Sequence, residues 1–182
     1  MRKVLSLAAI LALATAGSFG VRAFAAAADG VAVGSPAPNF SLPSQEDKMV
    51  SLSDYKGKWV VLYFYPKDMT TGCTIEAHNF QHDQEKFLKA NAVILGVSVD
   101  SVDSHKQFCA KDGLNFTLLS DEEKKVVAQY GSLGNYAGFK IANRNTFLID
   151  PQGKIVKVWT KVDPSHHSEE VLTALNQIEG QH

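Results

Sequence analysis

Cys73 follows the loop Lys67–Gly72 (KDMTTG) and opens a stretch with helical periodicity, a place where a cysteine can act as a nucleophile. The reactive form is the thiolate, and a free thiol with a pKa of about 8.5 is mostly protonated at neutral pH unless its surroundings hold the anion. The start of a helix supplies such surroundings. Its first N–H groups have no intrahelical acceptor and the positive end of the helix dipole lies there, which favours a thiolate and can also bind a polarised oxygen. Three residues earlier, Thr70 offers a hydroxyl to the thiolate or to an incoming oxygen, although it also reads as an ordinary loop residue. Pro66 lacks an N–H, so it can shield such a site without a competing donor while ending the strand before it. Arg144 is the third stabiliser. Once an N-terminal leader carrying Arg2 and Arg22 is set aside it is the chain's sole arginine, and its planar, permanently charged fork suits an anion at the mouth of a buried strand. A surface ion pair explains Arg144 equally well.

The elements that must position these residues follow from hydrophobic rhythm. KWVVLYFY from Lys58 is apolar without alternation, as in a strand buried on both faces, and it ends at Pro66. A helix is expected from about Cys73 to about Ala90, with Cys73, Ala77, Phe80, Gln84, Phe87 and Leu88 on one side. A second buried strand at Ala92–Val99 follows, then a helix from about Ser101 to Lys111, a short apolar piece (FTLL) and a third helix over Asp121–Tyr130. Asn145–Ile149 and Ile155–Trp159 flank the turn Asp150–Gly153 and fit a hairpin, and a last helix begins near Ser165. Pro36, Pro38, Pro43 and SQEDK make the entry irregular or hairpin-like. The pattern describes an α/β sandwich with helices on both faces of a mixed sheet. It suits a thioredoxin-like fold, which periodicity alone does not separate from other small α/β layouts.

The 182-residue chain opens with Arg2 and Lys3 ahead of an apolar run to Ala14 and small residues around Ala23–Ala25, the build of a secretory signal peptide over residues 1–25. The run is too soon diluted by Thr15, Gly17, Ser18 and Gly20 for a membrane-spanning helix. No cysteine precedes Cys73, which argues against a lipid-anchored N-terminus. The expectation is an exported, periplasmic protein with a flexible leader at 26–32 and one domain over 33–182. Without Arg2, Lys3 and Arg22 the chain carries 15 basic against 19 acidic side chains, a balance that attracts neither nucleic acid nor an anionic membrane. Two cysteines in an oxidising compartment first suggest a structural disulfide, and the setting of Cys73 argues against that.

YPKDMTTGCT holds Pro66, Thr70 and Cys73 in the PxxxTxxC pattern of peroxiredoxins, and RNTFLID (Arg144–Asp150) resembles that family's arginine-bearing signature. CTIEAHNF, FTLLSDEE, QYG and HHSEEVLTAL resemble the peroxiredoxin Q branch, also called bacterioferritin comigratory proteins, so the similarity runs from about Val33 to Ile178. The resemblance implies a thioredoxin-like fold and Cys73 as peroxidatic nucleophile. It also implies Thr70 and Arg144 as activating and peroxide-orienting partners, with Pro66 as shield. Cys73 would attack a peroxide O–O bond, become a sulfenic acid and be restored through a disulfide by a thioredoxin-like or other thiol reductant. No metal, haem or flavin is needed, and the resemblance leans toward a monomer.

The chain departs from that pattern at His78, where many members of the branch place a resolving cysteine. Cys109, which some relatives use, is the remaining candidate; as a small hydrophobe beside Val102 and His105 it also has a packing explanation. Bridged Cα atoms lie about 5.5–6 Å apart, so an intramolecular bridge between two helices calls for local unwinding around Cys73 and Cys109. Thr71 replaces the proline common before the Gly-Cys of the branch, a change expected to loosen the loop. Glu76 is the third helical residue if Cys73 is the N-cap, which capping explains, while the resemblance suggests a contact to Arg144. His78, His82 and Glu85 have chelate spacing but lie opposite Cys73, Phe80 and Phe87, so a solvated face is the better reading. His166 and His167 read as part of a helix start. Two other functions remain open: a thiol-disulfide oxidoreductase, which normally needs CxxC, and a non-catalytic binding or holdase module stapled by Cys73 and Cys109.

Overall fold

The computed structural model describes residues 31–180, so the expected signal peptide over 1–25 and most of the expected leader over 26–32 lie outside the described residues. A short antiparallel pair, β1 (Ser41–Pro43) and β2 (Met49–Ser51), leads through a 3-10 turn at Leu52–Tyr55 to β3 (Trp59–Phe64). Then come α1 (Thr71–Lys89), β4 (Ala92–Ser98), α2 (Val102–Asp112), β5 (Thr117–Ser120) and α3 (Lys125–Gln129). The chain ends with a hairpin β6 (Leu133–Tyr136) and β7 (Phe139–Ala142), then β8 (Asn145–Ile149), β9 (Ile155–Thr160) and α4 (His167–Glu179).

The central sheet has the order β5-β4-β3-β8-β9, with β3, β4 and β5 parallel and β8 and β9 antiparallel to their neighbours. All six residues of β3 are buried because helices or loops cover both faces. On one face Val61, Tyr63 and Tyr65 meet Cys73, Ala77, Phe80 and Phe87 of α1, Phe108 of α2 and Val171 and Leu175 of α4. On the other, Val60, Leu62 and Phe64 meet Phe40, Leu42, Val126, Val127 and Tyr130, so α3 and the entry hairpin form the second cover. The expected mixed sheet with helices on both faces is therefore present.

Phe80 is fully buried, with its ring centroid 4.8 Å from Tyr63, 6.0 Å from Phe87 and 5.8 Å from His167. It pins α1 to β3 and α4 at once. Phe80→Ala should lower unfolding free energy by about 3–5 kcal/mol in urea titration; a loss under ~1 kcal/mol would show that this core collapses around the void.

Several boundaries differ from expectation for identifiable reasons. Helix α1 begins two residues before Cys73, because Thr70 rather than Cys73 is the N-cap. Leu88, assigned to the buried side, is 58% exposed on the last turn. The third helix starts only at Lys125, because Lys124 adopts a left-handed conformation and the buried Asp121 carboxylate accepts the N–H groups of Lys125 and Val127 at 3.1 and 2.7 Å. The β6–β7 hairpin was not foreseen. Its turn uses positive φ at Ala137 and Gly138, and alanine is a weak signal for that geometry.

Candidate active site

Register places the site. Phe64 at the end of β3 is paired with Asn145 at the start of β8, so Arg144 comes up beside the loop that leaves β3. That loop turns at Met69, a non-glycine residue with φ 57, and enters α1 through the extended N-cap Thr70. Thr74 is the first to bond back, its N–H reaching the Thr70 carbonyl at 2.9 Å, so the N–H groups of Thr71, Gly72 and Cys73 have no helical acceptor. Cys73 lies in this first turn, 1% exposed and not bonded to Cys109.

The Arg144 guanidinium spans two acceptors. One arm donates to Cys73 Sγ at 3.3 Å and the other to Glu76 Oε2. A Cβ at Gly72 would lie 3.3 Å from that Arg144 arm, so glycine gives the guanidinium room to approach the helix start. Glu76 therefore does not cap the helix as a third residue would. Its carboxylate is fully buried, and burial pushes its pKa up to about 7 against the opposing pull of Arg144. Because the group binds its proton more tightly in the fold than in the unfolded chain, its contribution to stability is full at low pH and is lost as pH rises from about 4.5 to 7. Between pH 5 and 7.5 the protein should lose on the order of 1–3 kcal/mol that Glu76→Gln does not lose; identical denaturant midpoints shifts in both proteins would refute this.

Pro66 and Arg144 line a groove of about 570 Å³ with Tyr136, Asn143, Asn145 and Thr160–Val162, bringing the β6–β7 hairpin to the site. The Thr70 hydroxyl, in contrast, donates to the Lys67 carbonyl at 3.0 Å and makes no bond to Cys73. Thus Cys73, Arg144 and Glu76 are brought into direct contact, Pro66 lies along the same groove, and Thr70 adjoins as the helix N-cap. Cys109 occupies the last turn of α2, half-exposed against the core that contains Cys73. Burial pushes its thiol up to about 11, with the Asp68 charge adding to the effect.

The remaining polar residues of this region were given no functional role from the sequence. His167 is fully buried, with Nε2 2.8 Å from the Thr146 hydroxyl beside Arg144, and burial pushes its pKa down. Asp68 and His105 pair at 2.8 Å beneath the active loop. His78 meets Asp112 at 3.2 Å, and His82 and Glu85 are exposed on the same solvated side. Nothing in these residues converges as a metal site.

Residues 33–158 match the AhpC/TSA family model. The chain belongs to the AhpC/TSA family. Within it, the chain falls in the Bcp/PrxQ peroxiredoxin branch. It is 43% identical to peroxiredoxin Bcp of Bacillus subtilis over 81% of this chain and 97% of that protein. The fold superposes on Xylella fastidiosa PrxQ with a TM-score of 0.76 at 35% identity, covering 82% of this chain and 99% of that one. Xanthomonas campestris peroxiredoxin Q gives 0.71 at 39% identity, over 76% of this chain and 90% of that one. That protein has been solved as two single cysteine-to-serine mutants whose positions are as far apart in sequence as Cys73 and Cys109. The thioredoxin-like α/β fold expected from the motifs is the fold of these relatives.

Proposed function

We propose that this chain is a thiol peroxidase that reduces hydrogen peroxide and organic hydroperoxides through Cys73, with Cys109 resolving the oxidised enzyme and a thioredoxin-like or other thiol reductant recycling it. The observation that carries the reading is the Arg144 donor 3.3 Å from Cys73 Sγ at the opening of α1. The guanidinium and the free N–H groups of the first turn favour a thiolate and suit the oxygen that gains charge as the O–O bond breaks. Attack on the terminal peroxide oxygen forms the S–O bond and expels water or an alcohol after proton uptake, leaving Cys73 as a sulfenic acid. Pro66 covers the groove, and Thr70 turns its hydroxyl from the Lys67 carbonyl toward the incoming oxygen.

The second half of the cycle rests on Cys109. Cys109 packs against the buried core that contains both Cys73 and Tyr63, which supports the reading of one thiol as the partner of the other. Each still lies in an intact helix, so forming the bridge requires the first turn of α1 and the last turn of α2 to open. The N-terminal sequence supports export to the periplasm, the acidic balance argues against nucleic acid and anionic membrane as partners, and the family resemblance leans toward a monomer.

Rapid mixing of reduced protein with one equivalent of hydrogen peroxide tests the proposal. Fast loss of both thiols with appearance of one intramolecular bridge is expected. Slow thiol loss without peroxide consumption would instead identify a binding module with a structural bridge. Reduction of protein disulfides without peroxide turnover would identify an oxidoreductase.

A further inference from the structure

Gly72, Glu76, Asn79 and Asp83 follow one another at helical intervals, which sets them on a single stripe of α1. Every member of the stripe meets Arg144 or the stretch that follows β9. Glu76 accepts from Arg144, and a Cβ on Gly72 would lie 3.3 Å from Arg144 and 3.7 Å from the Pro164 ring. The Asn79 side-chain amide donates to two successive carbonyls, Pro164 at 3.0 Å and Ser165 at 2.8 Å. Asp83 accepts the Ser168 hydroxyl at 2.7 Å.

The segment joining β9 to α4 also reaches back to the strand that carries the guanidinium. Lys161 leaves β9 in the left-handed region at φ 55, and the Val162 N–H donates to the Arg144 carbonyl at 3.2 Å. The segment is thus bonded to Arg144 at one end and to α1 at the other. At Pro164 and Ser165 it offers α1 acceptors alone, because Pro164 has no N–H and the Ser165 N–H is taken by the Asp163 carboxylate at 3.0 Å. A side-chain amide supplies the donors that such a pair of carbonyls needs, and a carboxylate cannot. Helix propensity gives no reason for the residue, since asparagine forms helix less well than alanine, glutamine or glutamate.

We propose that Asn79 is a positioning residue of this peroxidase: by holding the Pro164 and Ser165 carbonyls it keeps the opening turns of α1 closed against Arg144, and the strength of that hold sets how readily the Cys73 turn unwinds for the bridge to Cys109. The second half rests on the reading of Cys109 as resolver. Gly72 and Glu76 adjoin Arg144 and serve the peroxide step, and Asp83 lies farther along the helix than the turn that opens. Asn79 stands between them, the first tie that an unwinding turn meets beyond the Arg144 contacts. Its hydrogen bonds go to backbone carbonyls and not to Cys73, so it acts through the turn that it steadies.

The test compares the unmodified full chain with Asn79→Ala and with Ser168→Ala, which breaks the other tie between α1 and α4. Amide hydrogen exchange of the reduced proteins is read over residues 74–79, and quenched-flow mass spectrometry follows sulfenic acid, disulfide and sulfinic acid after a peroxide pulse. Two hydrogen bonds partly open to water are together worth roughly tenfold in an opening equilibrium. Asn79→Ala should therefore exchange residues 74–79 about tenfold faster, form the bridge about tenfold faster and yield less sulfinic acid at high peroxide, while Ser168→Ala keeps both rates within about threefold. The sign separates a tie from a surface residue. Alanine is the better helix former, so removing a side chain that only decorated the helix would raise protection. Unchanged or raised protection in Asn79→Ala, or an equal loss in Ser168→Ala, overturns the assignment. Faster exchange with an unchanged bridge rate overturns its second half, the control of bridge formation. Absence of any bridge in the unmodified chain removes Cys109 as resolver and that second half with it, and exchange over residues 74–79 then decides whether Asn79 holds the turn.

Discussion

Replacing Arg144 with methionine is expected to slow the reaction of Cys73 with hydrogen peroxide by about 10²–10³-fold, the usual cost of losing one preorganised donor to developing negative charge. Arg144 is the sole arginine of the described residues, and its two arms are committed to Cys73 Sγ and Glu76 Oε2. Arg144→Lys should recover little, because a point charge on a flexible stem cannot address both acceptors as a planar fork does. The same substitution leaves Glu76 buried without its partner, and breaking such a pair costs about 3–5 kcal/mol unless the acid protonates. Combining Arg144→Met with Glu76→Gln separates the two effects. The double variant should regain stability in urea titration yet stay slow in stopped-flow competition for peroxide. A rate within threefold of the unmodified protein would end the case that Arg144 activates the site.

That test bears on how far the sequence alone could reach. The β3 and β8 strands were legible because burial on both faces demands an unbroken apolar run, and α1 because its core side repeats at helical spacing. Their register then carries Arg144 to Cys73, which explains why a pair 71 residues apart in sequence makes one contact. Glu76 had two readings, a capping position and a resemblance-based contact to Arg144, and the structure shows the contact. Moving the N-cap from Cys73 to Thr70 turns Glu76 from a capping position into the buried partner of Arg144. Asp68, His105 and His167 gave no signal, since each is an ordinary polar residue whose meaning comes from a partner on a distant element. Tyr136 joined the site through a hairpin that local pattern did not announce, its turn hidden by alanine where asparagine or glycine would have marked it.

Cys109→Ser is expected to abolish the peroxide-induced bridge while leaving the first attack by Cys73 intact. The serine hydroxyl cannot displace the sulfenic oxygen, so oxidised Cys73 persists and a second equivalent of peroxide carries it to sulfinic acid. Turnover with an external thiol should then decline with each cycle, and intact mass should show the doubly oxidised species accumulating as peroxide is raised. Stability argues that this is a chemical effect. Cys109 is half-exposed at the end of α2, and exchanging its sulfur for oxygen there costs about 1 kcal/mol, too little to unfold the domain. Hydrogen exchange gives the complementary view, because the bridge needs the opening turns of α1 and the closing turn of α2 to unwind. Protection in those two turns should fall on oxidation of the unmodified chain and stay unchanged in the serine variant. If Cys109→Ser turns over undiminished, the α2 cysteine is a packing residue, and an outside thiol must reach Cys73 through the groove beside Pro66 and Arg144.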